Sequence, residues 1–282
     1  MADIFGDRMK DYEKRFTGKL MSHLPICARL DGRTFNKFTR GLDRPFDEKF
    51  AHCMKETTKY LVQETCALMG YTQSDEITLI WFAENPETEV YFAGKLQKMV
   101  SMLAAETTLK FNELVAEYLP EKASLRPKFD CRVWQVPNKE EGANVFLWRE
   151  LDATKNSVSM AAREYYSHKQ LMNLGRSDQM ELLYKAGVNW NDYPTHFKRG
   201  TYFQRKEIVS HFTDEERDRL PDTHPGKYDP DFSFKRKRVR ELDMPIFSTV
   251  TNRADVIFSR VRPLVVKVSL ETKEQALGID KP

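Results

Sequence analysis

The chain has 282 residues, of which 40% are hydrophobic and 31% charged, and its formal net charge is +3 at pH 7. This composition supports a sizeable packed core and excludes wholesale disorder. No apolar run approaches the length of a bilayer span, and the N-terminal residues lack the apolar core of a signal peptide. Four scattered cysteines without paired metal-ligand spacing indicate reduced thiols, so we expect a cytoplasmic protein that does not associate with membranes.

The positive charge lies in the second half of the chain. Residues 1–150 carry 22 basic and 23 acidic side chains, whereas residues 151–282 carry 23 and 19. A polyanionic partner of the second half is compatible with this small excess.

The first half of the chain predicts the element order β-α-β-β-α-β. In chain order, after a helical lead-in (11–19), these elements are a strand (25–30), a helix (47–69), a two-stranded hairpin (71–82) closed by a turn around Asn85-Pro86, a helix (94–118) and a strand (129–136). This order is that of the split ferredoxin-like unit, an antiparallel four-stranded sheet with two helices on one face. The sequence therefore predicts an α+β fold.

The second half predicts helices followed by basic strands. In chain order they are a helix from an Asn138 cap through Arg149, helices over 159–171 and 177–186, a loop over 189–194, a basic strand over 198–206, a polar loop over 213–231 and a basic run over 234–240.

Two carboxylates are predicted to meet at one edge of the sheet. Asp31 ends the first strand and Asp75 lies in the hairpin, and in the ferredoxin-like order these strands are neighbours. Together with the backbone carbonyl of Gly32, they suit the two-magnesium site of phosphoryl transfer. Glu76 alternates away from that site along its strand and receives a supporting role. Taken alone, the segment Gln73–Glu76 is more typical of a solvated hairpin tip.

Phosphate donors are predicted near these carboxylates. The backbone amides of Arg33, Thr34, Phe35 and Asn36 form a candidate cradle for a triphosphate. Lys95 and Lys98 stand three residues apart at a helix start, so they face the same way and share its positive end.

Several of the candidate residues also have an ordinary structural interpretation. The Lys95–Lys98 pair is also typical of a solvated helix face, and Arg44 and Asp47 are ordinary unless they fold over a nucleotide. The run from Lys235 to Arg240 suits either an RNA backbone or an exposed, solvated strand. The six histidines show no metal-ligand spacing, and we interpret them as ordinary surface or core residues.

Several segments together resemble the tRNA-His guanylyltransferase family, including its bacterial, archaeal and phage-type branch. They are Arg29-Leu30-Asp31-Gly32-Arg33-x-Phe35, Gln73-Ser74-Asp75-Glu76, Phe129-Asp130-x-Arg132-Val133, Trp148-Arg149-x-x-Asp152, and Asn189-Trp190-Asn191 followed by Lys198-Arg199-Gly200. The resemblance covers roughly residues 10–210, and the order and spacing of the segments are specific. It implies a polymerase-like palm that works in the 3′-to-5′ direction on an activated tRNA 5′ end. The 3′-hydroxyl of an incoming nucleotide would attack that end.

The resemblance also implies roles for individual residues. Asp31, Gly32 and Asp75 would bind two Mg²⁺ ions, with Glu76 beside them in the catalytic set. Asp47, Ser74, Lys95 and Lys98 fall where the family contacts nucleotide or triphosphate, although Lys95 stands where an arginine is frequent. Arg33, Thr34, Phe35, Asn36 and Arg44, argued from the residues themselves, complete the candidate contacts with GTP or ATP. The candidate RNA contacts are Asn156, Lys198, Arg199, Lys235 and Arg236, of which the last two lie after residue 210, where the chain has no usable match to the family.

We accordingly expect a catalytic palm domain over residues 1–137 and a helical and basic, RNA-contacting region over residues 138–282. The family resemblance further implies a homotetramer with tRNA and nucleoside triphosphates as partners and GTP as the preferred nucleotide.

One departure from the family pattern bears on the reaction. Eukaryotic members carry His-Ile-Asn-Asn where this chain has Thr154-Lys155-Asn156-Ser157. This difference favours template-directed repair of tRNA 5′ ends over strict addition of one guanosine. Two alternatives remain: a palm-type nucleotide cyclase, which lacks support because no Gly-Gly-Asp/Glu-Glu-Phe turn is present, and a non-catalytic RNA-binding protein, which the intact Asp31 and Asp75 disfavour.

Overall fold

A computed structural model describes residues 3–85 and 87–265 and arranges six strands of this range in one antiparallel sheet. Pro86 of the predicted turn and residues 266–282 of the predicted C-terminal region lie outside the described residues. The strands are β1 (Ile26–Arg33), β2 (Met69–Gln73), β3 (Glu76–Trp81), β4 (Lys128–Gln135), β5 (Thr201–His211) and β6 (Ser233–Leu242). Their order is β4-β1-β3-β2-β5-β6, so the predicted ferredoxin-like order of the first four strands is confirmed.

The helices connect these strands and cover both faces of the sheet. They are α1 (Ile4–Arg15), α2 (Phe35–Phe38), α3 (Glu48–Glu64), α4 (Leu96–Tyr118), α5 (Lys139–Ala162), α6 (His168–Leu171), α7 (Arg176–Lys185), α8 (Thr195–Arg199), α9 (Asp214–Asp218) and α10 (Arg253–Phe258). None of the helices in the described ranges is both long and apolar enough to cross a bilayer.

Alternation along the strands divides the core into two layers. On one face, Leu30 and Leu79 pack with Phe111 of α4 in the cluster that includes α3. On the other face, Ile80 packs with Phe146 of α5, in the cluster that also includes α10. Successive side chains of a strand point to opposite faces, which explains why apolar residues at both parities are buried. The helix α5 on the second face is an addition to the predicted two-helix layer.

Helix α5 also corrects the predicted helix boundaries. It begins at the predicted Asn138 cap, whose side chain accepts a 2.8 Å hydrogen bond from the amide of Glu141. It then continues without interruption to Ala162, through residues 150–158, which lie between two of the predicted helices. The polar residues of this segment were misleading because they are interspersed with the buried residues Ala153 and Val158, which continue the packed side of the helix. The predicted helix over 159–171 is therefore the end of α5 followed by the separate α6.

The predicted basic strand over 198–206 begins later than expected. Lys198 and Arg199 end helix α8, and Gly200 follows with a φ of +76°. A Cβ atom on Gly200 would lie 2.6 Å from the carbonyl oxygen of Thr72, so this close approach requires glycine. Strand β5 starts only after this turn.

Strands β5 and β6 form an arm that extends beyond the rest of the sheet. Strand β2 pairs with β5 only over Thr201–Gln204, whereas β5 and β6 pair from Tyr202–Leu242 out to His211–Ser233. The arm thus belongs to the sheet that starts with β1, and the sheet crosses the predicted domain boundary at residue 137. Within the predicted loop 213–231, α9 is helical.

Candidate functional site

Asp31 and Asp75 lie at the same edge of the sheet, as the strand order predicts. In the register of β1 and β3, Asp31 is opposite Glu76, and the amide of Gly32 donates a 3.1 Å hydrogen bond to the carbonyl oxygen of Asp75. Ser74 and Asp75 form the two-residue connection between β2 and β3, with Ser74 at a φ of +48°. The strand pairing therefore brings the two predicted metal ligands together.

The segment that follows Asp31 is anchored by an aromatic side chain. Phe35 is buried and its ring packs against Phe38, Phe111 and Phe129, with centroid distances of 5.3, 5.6 and 5.0 Å. A Cβ atom on Gly32 would lie 2.6 Å from Cγ of Phe35, so glycine is required at this position. The side chain of Phe35 thus serves the core, and only its backbone is left for the predicted phosphate cradle.

The surroundings of Asp75 and Glu76 disfavour the ionised forms of these two carboxyl groups. Burial, followed by the negative charge of Asp31, raises the pKa of Asp75 to about 6, although its own backbone amide and Ser74 oppose the shift. The pKa of Glu76 is also raised, chiefly by burial and further by Asp31, with Arg149 and Arg29 acting in the opposite direction. Such uncompensated negative charge is the environment that a bound cation would relieve.

Glu76 is held by a side-chain network from α5. Arg149, buried in the protein, donates hydrogen bonds to the carboxylates of Glu76 and, at 3.1 Å, Asp152. The carboxylate of Asp152 in turn accepts a 3.2 Å hydrogen bond from the side-chain amide of Asn156. Three positions on one face of α5 are thereby linked to the strand that carries the site.

A cavity of about 400 Å³ opens beside Asp75. Its walls come from the segment after β1, the start of α3, the hairpin and α5. Seven of the predicted site residues line it: Phe35, Asn36, Arg44, Asp47, Ser74, Asp75 and Asn156. Asp47 also caps α3, because its two carboxylate oxygens accept from the amides of Phe50 (2.8 Å) and Asp43 (3.2 Å).

Sequence reasoning missed other residues of this cavity. They are Thr39, Asp43, Phe46, Lys55, Met160, Arg163, Glu164 and His196, among others. Ala153, Asn156, Met160 and Arg163 recur at helical spacing, and this signal becomes visible only if α5 is taken as one continuous helix.

Lys95 and Lys98 do not lie near the carboxylates. The backbone of Lys95 forms an isolated antiparallel β-bridge with that of Lys19, and the carbonyl oxygen of the preceding Gly94 accepts a 2.8 Å hydrogen bond from the amide of Leu20. This end of α4 lies beside the start of β1, whereas Asp31 is five residues further along, about 17 Å away at 3.3 Å per residue. The predicted convergence of these lysines with the acids therefore does not occur within one copy of the chain.

The predicted RNA-contacting residues occupy four places. Asn156 faces the cavity, whereas Lys198 donates to the carbonyl oxygen of Asn191 and lies 5.6 Å from the Trp190 ring. Arg199 lines a second cavity of about 470 Å³ beside the start of β5. Lys235 and Arg236 lie on the arm, where Arg236 forms a 2.9 Å ion pair with Glu216 and Lys235 stands 3.9 Å from Glu207.

The acids at the sheet edge provide a donor set that suits magnesium. Throughout residues 3–85 and 87–265, no group of three His, Cys, Asp or Glu side chains is arranged to hold a metal ion. The predicted set needs only the side chains of Asp31 and Asp75 and the carbonyl of Gly32, and all of these donors are oxygens. Hard divalent cations prefer such ligands, so the residues present fit the group.

Comparison with known proteins supplies independent information. Residues 6–137 match the family model for Thg1, the tRNAHis guanylyltransferase. A bacterial tRNA(His) guanylyltransferase (Thg1)-like protein solved in complex with ATP is 40% identical, with a TM-score of 0.67 over 71% of this chain and 88% of its own. A structure with the same description in complex with GTP is 33% identical, with a TM-score of 0.67, over 87% and 94%. A probable tRNA(His) guanylyltransferase of Drosophila melanogaster is 23% identical over 80% of this chain and 90% of its own.

Proposed function

The chain belongs to the tRNA-His guanylyltransferase family and is a nucleotidyltransferase, and we propose that it extends tRNA 5′ ends at the Asp31–Asp75 edge. The observation that carries this proposal is the meeting of Asp31 and Asp75 beside a cavity of about 400 Å³. Cavities of a few hundred cubic ångströms are typical of small-molecule sites. Carboxylates next to such a cavity are suited to phosphoryl transfer.

The nucleotide would occupy this cavity with its phosphates toward Asp75. Ser74 lies at the hairpin tip, and Asn36, Arg44 and Asn156 contribute polar groups to the walls. Related bacterial proteins have been solved with ATP and with GTP, which supports nucleoside triphosphates as substrates. We propose that GTP is the preferred nucleotide here.

Asp31, Asp75 and the carbonyl of Gly32 would hold two Mg²⁺ ions. Bound magnesium would stabilise negative charge on the attacking and leaving oxygens. The chain's own contribution is to hold the ligand oxygens of Asp31, Gly32 and Asp75 at a rigid sheet edge, where the hydrogen bond from the amide of Gly32 to the carbonyl oxygen of Asp75 joins the two strands. Glu76 supports the site from the neighbouring position, where Arg149 neutralises part of its charge.

The tRNA would lie along the basic arm. Outside its tip, in residues 205–211 and 233–240, the arm has seven Lys and Arg side chains and one Glu. Lys235 and Arg236 belong to this set, and basic groups spaced along a β-ribbon suit a phosphate backbone. Residues 138–282 would thus act mainly on RNA, and residues 1–137 on nucleotide chemistry.

The direction of addition and the assembly belong to the same proposal. Thr154-Lys155-Asn156-Ser157 in place of the eukaryotic signature favours template-directed 3′-to-5′ repair over addition of a single guanosine. A cytoplasmic homotetramer is consistent with the free thiols and with the N-terminal segment, in which Phe5 and Tyr12 of helix α1 and the following Phe16 are exposed and available to a second copy.

The decisive experiment is incorporation of labelled GTP into a 5′-truncated tRNA in the presence of Mg²⁺. We expect incorporation by the wild-type protein and a loss of at least a hundredfold in Asp31→Asn and in Asp75→Asn, with tRNA binding retained. Asp130→Asn is the matched control, because Asp130 lies opposite Asp31 on β4 but is not a proposed ligand. Full activity of the two variants would refute the metal assignment, and release of a cyclic nucleotide instead of extended RNA would identify a cyclase.

A further inference from the structure

Trp148 is an exposed tryptophan close to the catalytic edge. Its residue surface is 52% exposed, although tryptophan is usually well buried. The guanidinium carbons of Arg149 and Arg29 lie 4.6 and 5.9 Å from the centre of its ring. An aromatic ring that is flanked by arginines and open to water is a surface on which a nucleobase can stack.

The position of this ring relative to the carboxylates follows from the strands. Arg29 and Asp31 are two residues apart on the same face of β1, about 7 Å along the strand. Arg149, the neighbour of Trp148 on α5, pairs with Glu76, which lies opposite Asp31. Trp148 is therefore next to the reacting centre.

Further cations share this face of the sheet. In the register of β1 and β4, Arg29 is opposite Arg132 and Arg33 is opposite Lys128, while Asp31 is opposite Asp130. The side chain of Arg132 is 61% exposed, with the nearest carboxylate, that of Asp130, at 3.9 Å. Because Trp148 and Arg132 are both exposed, this face is open to a large ligand beside Trp148.

The nucleotide cavity is separate from this face. Its walls include Asp75 and Ser74 but, among the described residues, neither Trp148 nor Arg29 nor Arg132. The catalytic edge is thus accessible to one ligand from the cavity and to a second ligand from the open face of β1 and β4. A reaction that joins a nucleotide to an RNA end needs two such approaches.

We propose that Trp148, together with Arg29 and Arg132, forms a platform that stacks an unpaired terminal base of the RNA substrate and binds the adjoining phosphate. This inference rests on the proposed function and identifies how that substrate reaches the site. The platform presents the RNA end to Asp31 from outside the nucleotide cavity. Stacking is tolerant of base identity, since every base has a π-face.

The test uses two RNA hairpins, one blunt and one with a single unpaired terminal 2-aminopurine, whose fluorescence falls on stacking. Wild-type protein, Trp148→Ala and Trp148→Phe are titrated with each hairpin and, separately, with GTP. Leu151→Ala is the matched control, because Leu151 is also on α5 and is 50% exposed. Unchanged GTP affinity also shows that a variant is folded.

We expect Trp148→Ala to bind the hairpin with the unpaired base about tenfold more weakly and to lose the fluorescence quench. Trp148→Phe retains part of both, because a smaller ring still stacks. The blunt hairpin, GTP binding and Leu151→Ala should be unaffected. Arg132→Gln should weaken both hairpins and reduce the salt dependence of binding, because its proposed contact is a phosphate.

An unchanged affinity of Trp148→Ala for the hairpin with the unpaired base would overturn this inference. So would an equal loss for the blunt hairpin, or a loss confined to GTP, which would assign the ring to the nucleotide. Incorporation of labelled GTP by the wild-type protein is measured in parallel. Its absence would contradict the proposed function, whereas incorporation with an unaffected Trp148→Ala would contradict the platform alone.

Discussion

Arg149 of α5 donates a hydrogen bond to Glu76 of β3, and both side chains are largely shielded from water, with exposures of 4% and 18%. This ion pair joins the helix on one face of the sheet to the strand beside the proposed metal site. Glu76, the partner of Arg149, is directly opposite Asp31 in the register of β1 and β3. The pair therefore connects the packing of α5 to the geometry of the proposed metal site.

Arg149→Ala should reduce the free energy of unfolding by about 3 kcal/mol, because the buried carboxylate of Glu76 loses its compensating charge. Urea denaturation measures this difference. The double variant Arg149→Ala with Glu76→Gln should recover part of the loss, since the uncompensated charge is removed as well. A loss below about 1 kcal/mol, comparable to that of an exposed ion pair, would contradict this role.

The raised pKa of Asp75 predicts a pH dependence of stability in the absence of divalent ions. With a pKa of about 6 in the folded state and an ordinary value of 3.8, the folded protein binds more protons than the unfolded chain between these values. The contribution of Asp75 is therefore fully present below pH 3.8 and decreases as pH rises through 6. Between pH 4 and pH 7, Asp75 should lower the free energy of unfolding of the wild type by roughly 2–3 kcal/mol. This decrease should be absent in Asp75→Asn.

Urea denaturation of both proteins at pH 4 and pH 7 in a chelating buffer checks this expectation. From pH 4 to pH 7, the free energy of unfolding should decrease less in the variant than in the wild type. An identical pH dependence in wild type and Asp75→Asn would show that Asp75 titrates normally.

Gly32→Ala should destabilise the protein by about 2 kcal/mol, because the new methyl group collides with the ring of Phe35 in a packed aromatic cluster. Gly18→Ala is the matched control, since a Cβ atom there would make ordinary contact at 3.5 Å with Leu96. Thermal unfolding monitored by circular dichroism compares the two. Equal melting temperatures for both variants would mean that Phe35 moves aside without cost.

Substitutions on the arm should reduce the salt dependence of tRNA binding. We expect Lys237→Gln to lower the slope of log affinity against log salt by about one, because one phosphate contact is lost. Arg236→Gln should have a smaller effect, since Arg236 is already paired with Glu216 at 2.9 Å. Lys185→Gln on α7 is the control, and an equal effect of all three would indicate that the arm has no special role. Binding is measured by filter retention at several salt concentrations.

Much of the fold and part of the site follow from local sequence patterns. Short apolar runs and the Asn138 cap specify β1, β3 and the start of α5, since these signals depend only on neighbours along the chain. The element order β-α-β-β-α-β then brings Asp31 beside the β2–β3 hairpin, because the ferredoxin-like connection leaves these strands adjacent. The pairing of the two acids was therefore predictable.

Only the tertiary structure decided the remaining features. Lys95 and Lys98 lie at the far end of β1 because the start of α4 pairs with residues 19–20, a contact that no local pattern encodes. The burial of Glu76 against Arg149 depends on α5 crossing the second face of the sheet, 73 residues further along the chain. The sequence by itself determined the elements and the edge at which the acids meet, and long-range packing determined which charges surround them.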